Sequence, residues 1–467
     1  MKNTKRRFVL FSFYDRTGIE AYLEKQAECG WMLDKISALG WHFHRIEPKK
    51  IHFSVVYFSK ASAFDPEPSE QQLAFQDFCE HTGWKHAAAN AQMQVFFNET
   101  PESTPIETDA ALEVAAIHAS AKKSHLSSYY LLTGVGILQM GLFVWRYLSD
   151  PISILTSNSN LFSGMCWIFM LALSLVEIVG YHRWHKRAKA AAELDGSFVE
   201  TKGHQNFQLI ILCITLLAFA LLLISYGGSG MTALVLVTAA AFFCITAIVV
   251  GISELMKKCK IPARLNRNVT IILTVVLSFG LTGLLLISVV NRVSSLFPDE
   301  EATNTYVFNG RTYAIHHDEL PLTIEDLIDT DYNEYSYELR ISSRSFLAER
   351  REFAQRPRLD ALVQPDLEYS VTTVKAPLLY DFCKKALLAD FAHNYGHPVP
   401  EGPMWKEETA IDAAPWGAGE AYQLILGGEP QMRFLICYDS RIVEIDFEHD
   451  WALTDEQMRI IAQKLGG

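Results

Sequence analysis

The sequence predicts a membrane protein: a five-helix transmembrane bundle between an N-terminal α+β domain of ferredoxin-like type and a second α+β domain at the C-terminus. Three observations predict it. Of 467 residues, 49% are hydrophobic and only 20% charged, with a mean hydropathy of +0.10; soluble domains carry nearer a quarter charged residues. The apolar excess is concentrated between residues 127 and 290. On either side, apolar and polar residues alternate as they do in strands and amphipathic helices. The length allows roughly three domains at about 150 residues each. A wholly soluble enzyme, a disordered chain and a disulfide-stapled secreted domain are excluded.

Residues 1–100 read as the first α+β domain. The start, MKNTKRRFVLFSF, is basic, but its apolar stretch is short and ends at Tyr14-Asp15-Arg16, so no signal peptide is expected. RFVLFSF (7–13) is expected as a strand. A helix follows over Thr17–Cys29, with Ile19, Tyr22, Leu23, Gln26 and Ala27 at 3–4 spacing and Gly30 past its end. WMLDKIS, WHFHRIE and KIHFSVVYF read as three strands, with Pro48-Lys49-Lys50 turning between the last two. A second helix is expected over 69–82 with Leu73, Phe75, Phe78 and Cys79 on one face, then closing strands at Trp84–His86 and Met93–Phe97. The order β-α-β-β-β-α-β-β suggests a split, ferredoxin-like sheet. Trp31 and Trp84 each follow a helix stop; they either fill the core or form an aromatic platform for a ligand or partner. His42 and His44 flank Phe43 and share one strand face, as solvent-facing residues or as a metal pair.

These residues carry a resemblance. The run Glu20–Trp31, a Phe43…Pro48 element, Phe78…Gly83-Trp84 and Gln94-Val95-Phe96-Phe97 resemble the bacterial domain of unknown function 2812 family. The resemblance covers mainly residues 7–100. It implies a cytoplasmic domain joined to several membrane spans and, because such proteins are often encoded near PadR-type transcriptional regulators, a sensory or regulatory role. The family supplies no catalytic residues to carry over.

Residues 101–126 read as a linker, polar with two prolines and then Ala-rich and helical. A helix crossing about 30 Å of hydrocarbon needs roughly 20 apolar residues. Five segments qualify: 127–148, 160–181, 207–226, 231–254 and 269–290. The loop after the second carries Arg183, Lys186, Arg187, Lys189 and Lys202, and the loop after the fourth carries Lys257, Lys258, Lys260, Arg264 and Arg267. Those after the first and third, Ser149–Asn158 and Gly227–Gly230, carry no Lys or Arg. With Lys122 and Lys123 before the first span, the positive-inside rule puts the N-terminus in the cytoplasm and, across five spans, the C-terminal domain outside the bacterial cell membrane. Trp145, Trp167, Trp184, Tyr129, Tyr130, Tyr147 and Tyr181 sit near span ends as an aromatic belt.

Polar residues inside a membrane are functional candidates. Here they are Gln139, Arg146, Glu177 and Glu254. Each reads as an interfacial anchor or helix–helix hydrogen bond, or as part of a relay. As a headgroup-facing anchor, Glu177 is expected to tolerate alanine with abundance nearly unchanged, and Glu254 to lie beside Lys257 and Lys258. Gly134, Gly136, Gly141, Gly280 and Gly283 are expected where helices approach closely. His182 and His185, among basic residues at a span end, are expected to meet lipid headgroups.

The C-terminal domain, 291–467, is acidic: 16 Lys and Arg against 31 Asp and Glu, where residues 1–290 hold 25 against 22. Such charge repels nucleic acid, so direct nucleic-acid binding is not expected. Asn309-Gly310 predicts a type I′ hairpin, Thr323 a helix cap, and Thr454 with Gln457 a capping box. YSYELRISSRSFLAER, YSVTTVK, YQLILGG and RFLICYDSRIVEIDF read as strands, the last turning at Asp439-Ser440; APLLYDFCKKALLADFAHNY and TDEQMRIIAQKL read as helices. There is no GxSxG, HExxH or phosphate-binding glycine loop. His316-His317-Asp318-Glu319 and the Glu444–Asp450 run with His449 read as solvated faces or cation sites, and Glu444 with Asp446 is the one arrangement resembling an acid/base pair. The eight cysteines include no CxxC; Cys383 and Cys437 pair only if the fold brings them together.

No catalytic, cofactor-binding or metal-binding residue is therefore expected. The function expected is that of a non-enzymatic sensory or regulatory membrane protein coupling an extracytoplasmic domain to a cytoplasmic protein-binding domain, with the lipid bilayer and a cytoplasmic protein, in a PadR-type regulator system, as partners. The alternative is an accessory subunit of a transport or export system. The oligomeric state does not follow from the sequence.

Overall fold

The computed structural model describes residues 3–37, 40–66, 68–100, 105–194, 196–201, 203, 205–225, 230–295, 304–361, 364–393, 406–447 and 452–467. The chain forms two units, one of residues 1–140 and 165–288, the other of residues 141–164 and 289–467.

The first unit begins with two β-α-β-β halves of identical topology. The first half is β1 (Thr4–Arg7), α1 (Arg16–Glu28), β2 (Trp31–Ser37) and β3 (Gly40–Arg45); the second is β4 (His52–Tyr57), α2 (Glu70–His81), β5 (Lys85–Asn90) and β6 (Met93–Asn98). Each half makes a three-stranded antiparallel sheet with its third strand central, β1-β3-β2 and β4-β6-β5. The element order is the expected one, split over two sheets. Residues 8–13 do not form the expected strand: β1 ends at Arg7, and the apolar run leaves the sheet. Local chemistry explains the helices. Asp15 caps α1 by accepting from the Gly18 N–H, and Ser69 and Gln72 form a capping box on α2. Past α1, Gly30 takes φ +82°, and a Cβ there would lie 2.9 Å from the Ile46 carbonyl oxygen, so only glycine fits.

The buried face of α1, Ile19, Leu23 and Ala27, packs on Leu33, Phe43, Phe53, Val55 and Val95 from both sheets. Trp84 is buried under α2 with Cys79 and Phe96. Trp31 is only partly buried, and the cations of Lys5 and Arg45 lie 4.6 and 5.0 Å from its ring centre. Of the face expected on α2, Cys79 is buried whereas Leu73 and Phe78 are exposed.

Five helices are long and apolar enough to cross a membrane. The Ala-rich stretch forms α3 (Ala110–Ser120), which passes through a π turn at Ala121–His125 into α4 (Leu126–Ser149); after the short α5 (Pro151–Leu155) come α6 (Asn158–Leu194), α7 (Gln205–Ser225), α8 (Gly230–Lys258) and α9 (Ala263–Ser295). All five expected spans are helical over their described residues, Tyr226 at the end of the third lying outside these, and α6 continues three turns past its apolar part. A Cβ on Gly136 would meet Leu171 at 3.4 Å, so α4 and α6 approach closely there; Gly134, Gly141, Gly280 and Gly283 face no neighbour within 4 Å among the described residues, contrary to the reading of all five as contact points.

The second unit is built on one seven-stranded antiparallel sheet: β9 (Ser336–Arg344), β10 (Ala348–Arg356), β11 (Leu367–Val374), β12 (Lys406–Ile411), β13 (Glu420–Leu426), β14 (Glu429–Cys437) and β15 (Arg441–Asp446), in the order β12-β13-β14-β15-β11-β10-β9. Both faces are covered. Phe434, Ile436, Val443 and Ile445 point to the side carrying α11 (Asp455–Leu465), and Leu435, Cys437 and Ile442 to the side carrying α10 (Tyr380–His393). That double burial is why FLICY, residues 434–438, is continuously apolar and why the adjacent Ile442 and Val443 are apolar on opposite faces. Ile152 and Leu155 of α5 join the α10 side, where Tyr147 also stacks on Phe382 at 5.4 Å. The hairpin β7 (Thr305–Phe308) and β8 (Arg311–Ala314) turns at Asn309 and Gly310 with φ +49° and +76°, the expected type I′ signature, and the capping box at Thr454 is present. One expected strand, YSYELRISSRSFLAER, is the hairpin of β9 and β10, and the charged KEETAI was not expected to be a strand at all.

Candidate functional site

A buried polar and aromatic cluster joins the N-terminal halves of the first unit to its apolar helices. The extended run 8–13 carries it. Phe13 accepts a hydrogen bond at its carbonyl from the Tyr57 hydroxyl, which fixes the run against β4. Ser12 then donates to Oε1 of Glu177 at 2.8 Å, and Gln208 of α7 donates to the same oxygen at 2.6 Å. Glu177 is 2% exposed, so it does not face headgroups or reach Arg183 as expected of an anchor. Its second oxygen has no hydrogen-bond partner among the described residues and faces His125 Nε2 at 3.8 Å. His125 closes the π turn, a geometry frequent at functional sites. It is held there by Phe13 stacked on its ring at 5.3 Å and by Tyr129 at 4.7 Å. In the same turn Lys123 donates to the carbonyls of Ser59, Lys60 and Ala61, and Ser124 donates to Gln92.

The aromatic part lies beside it. Tyr14 stacks on Trp184 at 5.4 Å and meets Tyr181 edge-on at 5.5 Å. Burial, reinforced by the Glu177 carboxylate, pushes the Tyr14 phenol well above its ordinary range. The Tyr181 hydroxyl is 2.7 Å from His118 Nδ1, and His118 stacks on His185 at 4.3 Å. His182 lies 2.6 Å from the Tyr130 hydroxyl. Both histidines expected to meet headgroups therefore make contacts within the protein.

A third group ties the loop between α6 and α7 to the start of α1. The Thr17 N–H donates to the Thr201 hydroxyl at 3.1 Å, the Thr201 N–H donates to the Thr17 hydroxyl at 3.0 Å, and Thr201 donates to Asp15 at 3.1 Å. A Cβ on Gly203 would fall 2.2 Å from Asp15 Oδ2. Burial raises the Asp15 carboxyl, opposed by these hydrogen bonds. Next along α1, Arg16 pairs with Glu113 at 2.5 Å and lies 3.6 Å from Glu20. Glu20 accepts from the Val55 N–H at 2.9 Å, and burial pushes its carboxyl up to about 7 against the pull of Arg16.

The remaining expected candidates fall elsewhere. Gln139 is partly buried, and Arg146 is exposed. Glu254 accepts from Lys257 at 2.7 Å, as expected. His42 lies 3.3 Å from Ser37 and His44 3.8 Å from Asp34. In the second unit, Arg433 bonds Glu444 and lies 3.9 Å from Asp446, so a cation neutralises the expected acid/base pair. Asp318 accepts from the Leu339 N–H at 2.8 Å and His317 lies 3.2 Å from Asn304; His449 lies outside the described residues. Cys383 and Cys437 are both buried and free. Among the described residues no group of three His, Cys, Asp or Glu is placed to hold a metal ion.

The cluster that matters was missed because its partners come from four distant segments. The one local signal is that Ser12 is the only polar residue in FVLFSF, and Gln208 the first in the third span.

The α1–β6 fold and the helix bearing His118 and His125 form one continuous stretch of chain. Residues 15–129 match the family described as protein of unknown function (DUF2812). The resemblance read from the sequence thus holds over these residues, and the DUF2812 match extends through α3 and the π turn into the first apolar helix. Asp15, His118 and His125 lie inside the DUF2812 segment; their respective partners Thr201, Tyr181 and Glu177 lie outside it. No curated protein and no solved structure matches the chain.

Proposed function

We propose that this chain is a multi-pass protein of the bacterial cell membrane that relays the state of its C-terminal domain to a protein bound by its N-terminal domain, without catalysing a reaction. The N-terminal domain, a doubled ferredoxin-like split sheet, is cytoplasmic, and the acidic C-terminal domain is extracytoplasmic, as the ten basic residues after the second and fourth spans favour.

One observation carries the reading. The tip of the α4–α6 hairpin, residues 147–158, is packed into the C-terminal domain through Ile152 and Leu155, while further along the same two helices His125 and Glu177 hold Phe13 and Ser12 of the N-terminal domain. The same two helices thus run through both units, and a relay requires such a shared element. The outward face of α2 supports a partner on the N-terminal side: Leu73 and Phe78 are 50% and 61% exposed, an apolar pair of the kind interfaces bury.

The test places a photo-crosslinking residue at Phe78, and separately at Leu73, in the full chain in native membranes. One discrete adduct with a soluble protein at both positions is expected, a PadR-type regulator being the partner that the family resemblance suggests. Lipid adducts alone, or none at either position, would overturn the reading.

A further inference from the structure

We propose that the groove between α6 and α7 is a binding site for one anionic glycerophospholipid of the leaflet that faces the N-terminal domain. This rests on the reading of α6 and α7 as membrane spans. The groove has a volume of about 570 Å³ and is lined by Leu175, Val176, Val179, Gly180, Arg183, Trp184 and Arg187 of α6, with Phe207 of α7 and Tyr14. The α6 residues recur at 3–4 spacing, so they form one continuous stripe along the helix. At 1.5 Å per residue, its apolar end at Leu175 lies about 12 Å along the axis from Arg183.

The two ends of the stripe suit the two ends of a lipid. Leu175, Val179 and Phe207 are 44%, 43% and 37% exposed, an apolar floor that an acyl chain covers. Gly180 offers no side chain to narrow the middle. Arg183 and Arg187 are one turn apart and both exposed, and neither has an ion-pair partner among the described residues. The two guanidiniums suit a phosphate diester by bidentate hydrogen bonding, and Trp184 and Tyr14 supply the aromatic rings that settle at a headgroup boundary. Charge and apolarity are thus segregated along one groove in the order in which a phospholipid presents them. A soluble anion would use only the arginine end and leave the floor bare, so the occupant is a lipid and not free phosphate. Because Tyr14 lines the groove and neighbours Ser12, the lipid also touches the segment that holds Glu177.

The test reconstitutes the full chain in nanodiscs of phosphatidylcholine with a minority of phosphatidylglycerol, then extracts it in mild detergent and counts retained lipids by native mass spectrometry. About one phosphatidylglycerol per chain is expected on the unmodified protein, unaffected by millimolar inorganic phosphate. R183Q and R187Q should each lower the retained phosphatidylglycerol-to-phosphatidylcholine ratio about fivefold, and Arg146→Gln, far from the groove in sequence, should leave it unchanged. Circular dichroism of the variants reports that they are folded. Equal retention by R183Q/R187Q and the unmodified chain, or displacement by phosphate alone, would overturn the proposal. Failure of the spans themselves reads differently: the chain would not enter nanodiscs and would stay monodisperse without detergent.

Discussion

The hydroxyl of Ser12 donates a 2.8 Å hydrogen bond to Glu177, 165 residues away in sequence, and both residues are 2% exposed. A buried carboxylate that accepts two side-chain hydrogen bonds and faces a histidine is a structural tie, in which the unpaired oxygen is the adjustable part. The N-terminal domain is thus fastened to α6 and α7 directly, in addition to its covalent link through α3.

Removing the carboxylate therefore has a cost that a headgroup-facing glutamate would not show. Hydrogen bonds to a charged group contribute about 1.5–3 kcal/mol each. Glu177→Ala should lower the stability of the full chain by about 2–4 kcal/mol, read as a fall in the thermal midpoint in detergent. Glu177→Gln keeps an acceptor for Ser12 and should lose less than half of that. A Glu177→Ala midpoint equal to that of the unmodified protein would restore the anchor reading.

The Thr17–Thr201 knot is a separate fastening. Thr201→Val removes the hydroxyl that serves both Thr17 and Asp15, and at about 1 kcal/mol per neutral hydrogen bond the loss should be about 1–3 kcal/mol. Limited proteolysis should then cut within residues 197–203 at a protease concentration that leaves the unmodified chain intact. Gly203→Ala should behave alike, since its methyl group would collide with Asp15.

Glu20 supplies a pH dependence with a definite sign. Its carboxyl is pushed from 4.5 to about 7 by burial, opposed by Arg16 and the Val55 N–H and assisted by Glu113 and Glu24. The folded state binds this proton more tightly than the unfolded state, so the contribution is fully present below pH 4.5 and is lost as pH rises to about 7. Glu20→Gln keeps an acceptor for Val55 and carries no charge. It should raise the thermal midpoint at pH 7.5, flatten its decline between pH 5 and 7, and leave pH 4.5 nearly unchanged. An unaltered slope would mean that Glu20 is ionised throughout.

The sequence shows this fold where the signal is local. Five apolar runs, the cap at Thr454, the Asn309-Gly310 turn and Gly30 each act within a few residues, and each of these elements stands where its pattern puts it. Three readings failed for want of a local signal. The β9–β10 turn at Ser345-Phe346-Leu347 contains no Gly, Pro or Asn, so two strands read as one. β12 alternates too little, because Lys406, Glu407 and Glu408 are consecutive charges on an edge strand, where charge protects against mispairing. The run 8–13 is apolar because it packs on helices, and it has no ladder partner. The two Gly-Trp pairs were legible as helix stops, yet the doubled β-α-β-β unit that they mark is visible only in the sheet order. The Ser12–Glu177–Gln208 tie joins three segments and leaves no spacing to read.

Membrane topology can be checked with thiols that the fold leaves open. Cys29 at the end of α1 and Cys259 after α8 are exposed, and both belong to the unit that carries the N-terminal domain. Leu378, in the other unit, is 98% exposed, so Leu378→Cys presents a thiol without disturbing a core. Basic loops stay on the cytoplasmic side, and an odd number of spans separates these positions from Leu378. A membrane-impermeant maleimide added to intact cells should therefore label Leu378→Cys and leave Cys29 and Cys259 unreacted until the membrane is opened. Labelling of Cys259 in intact cells, or protection of Leu378→Cys, would reverse the assignment. It would also move the groove bearing Arg183 and Arg187 to the outer leaflet.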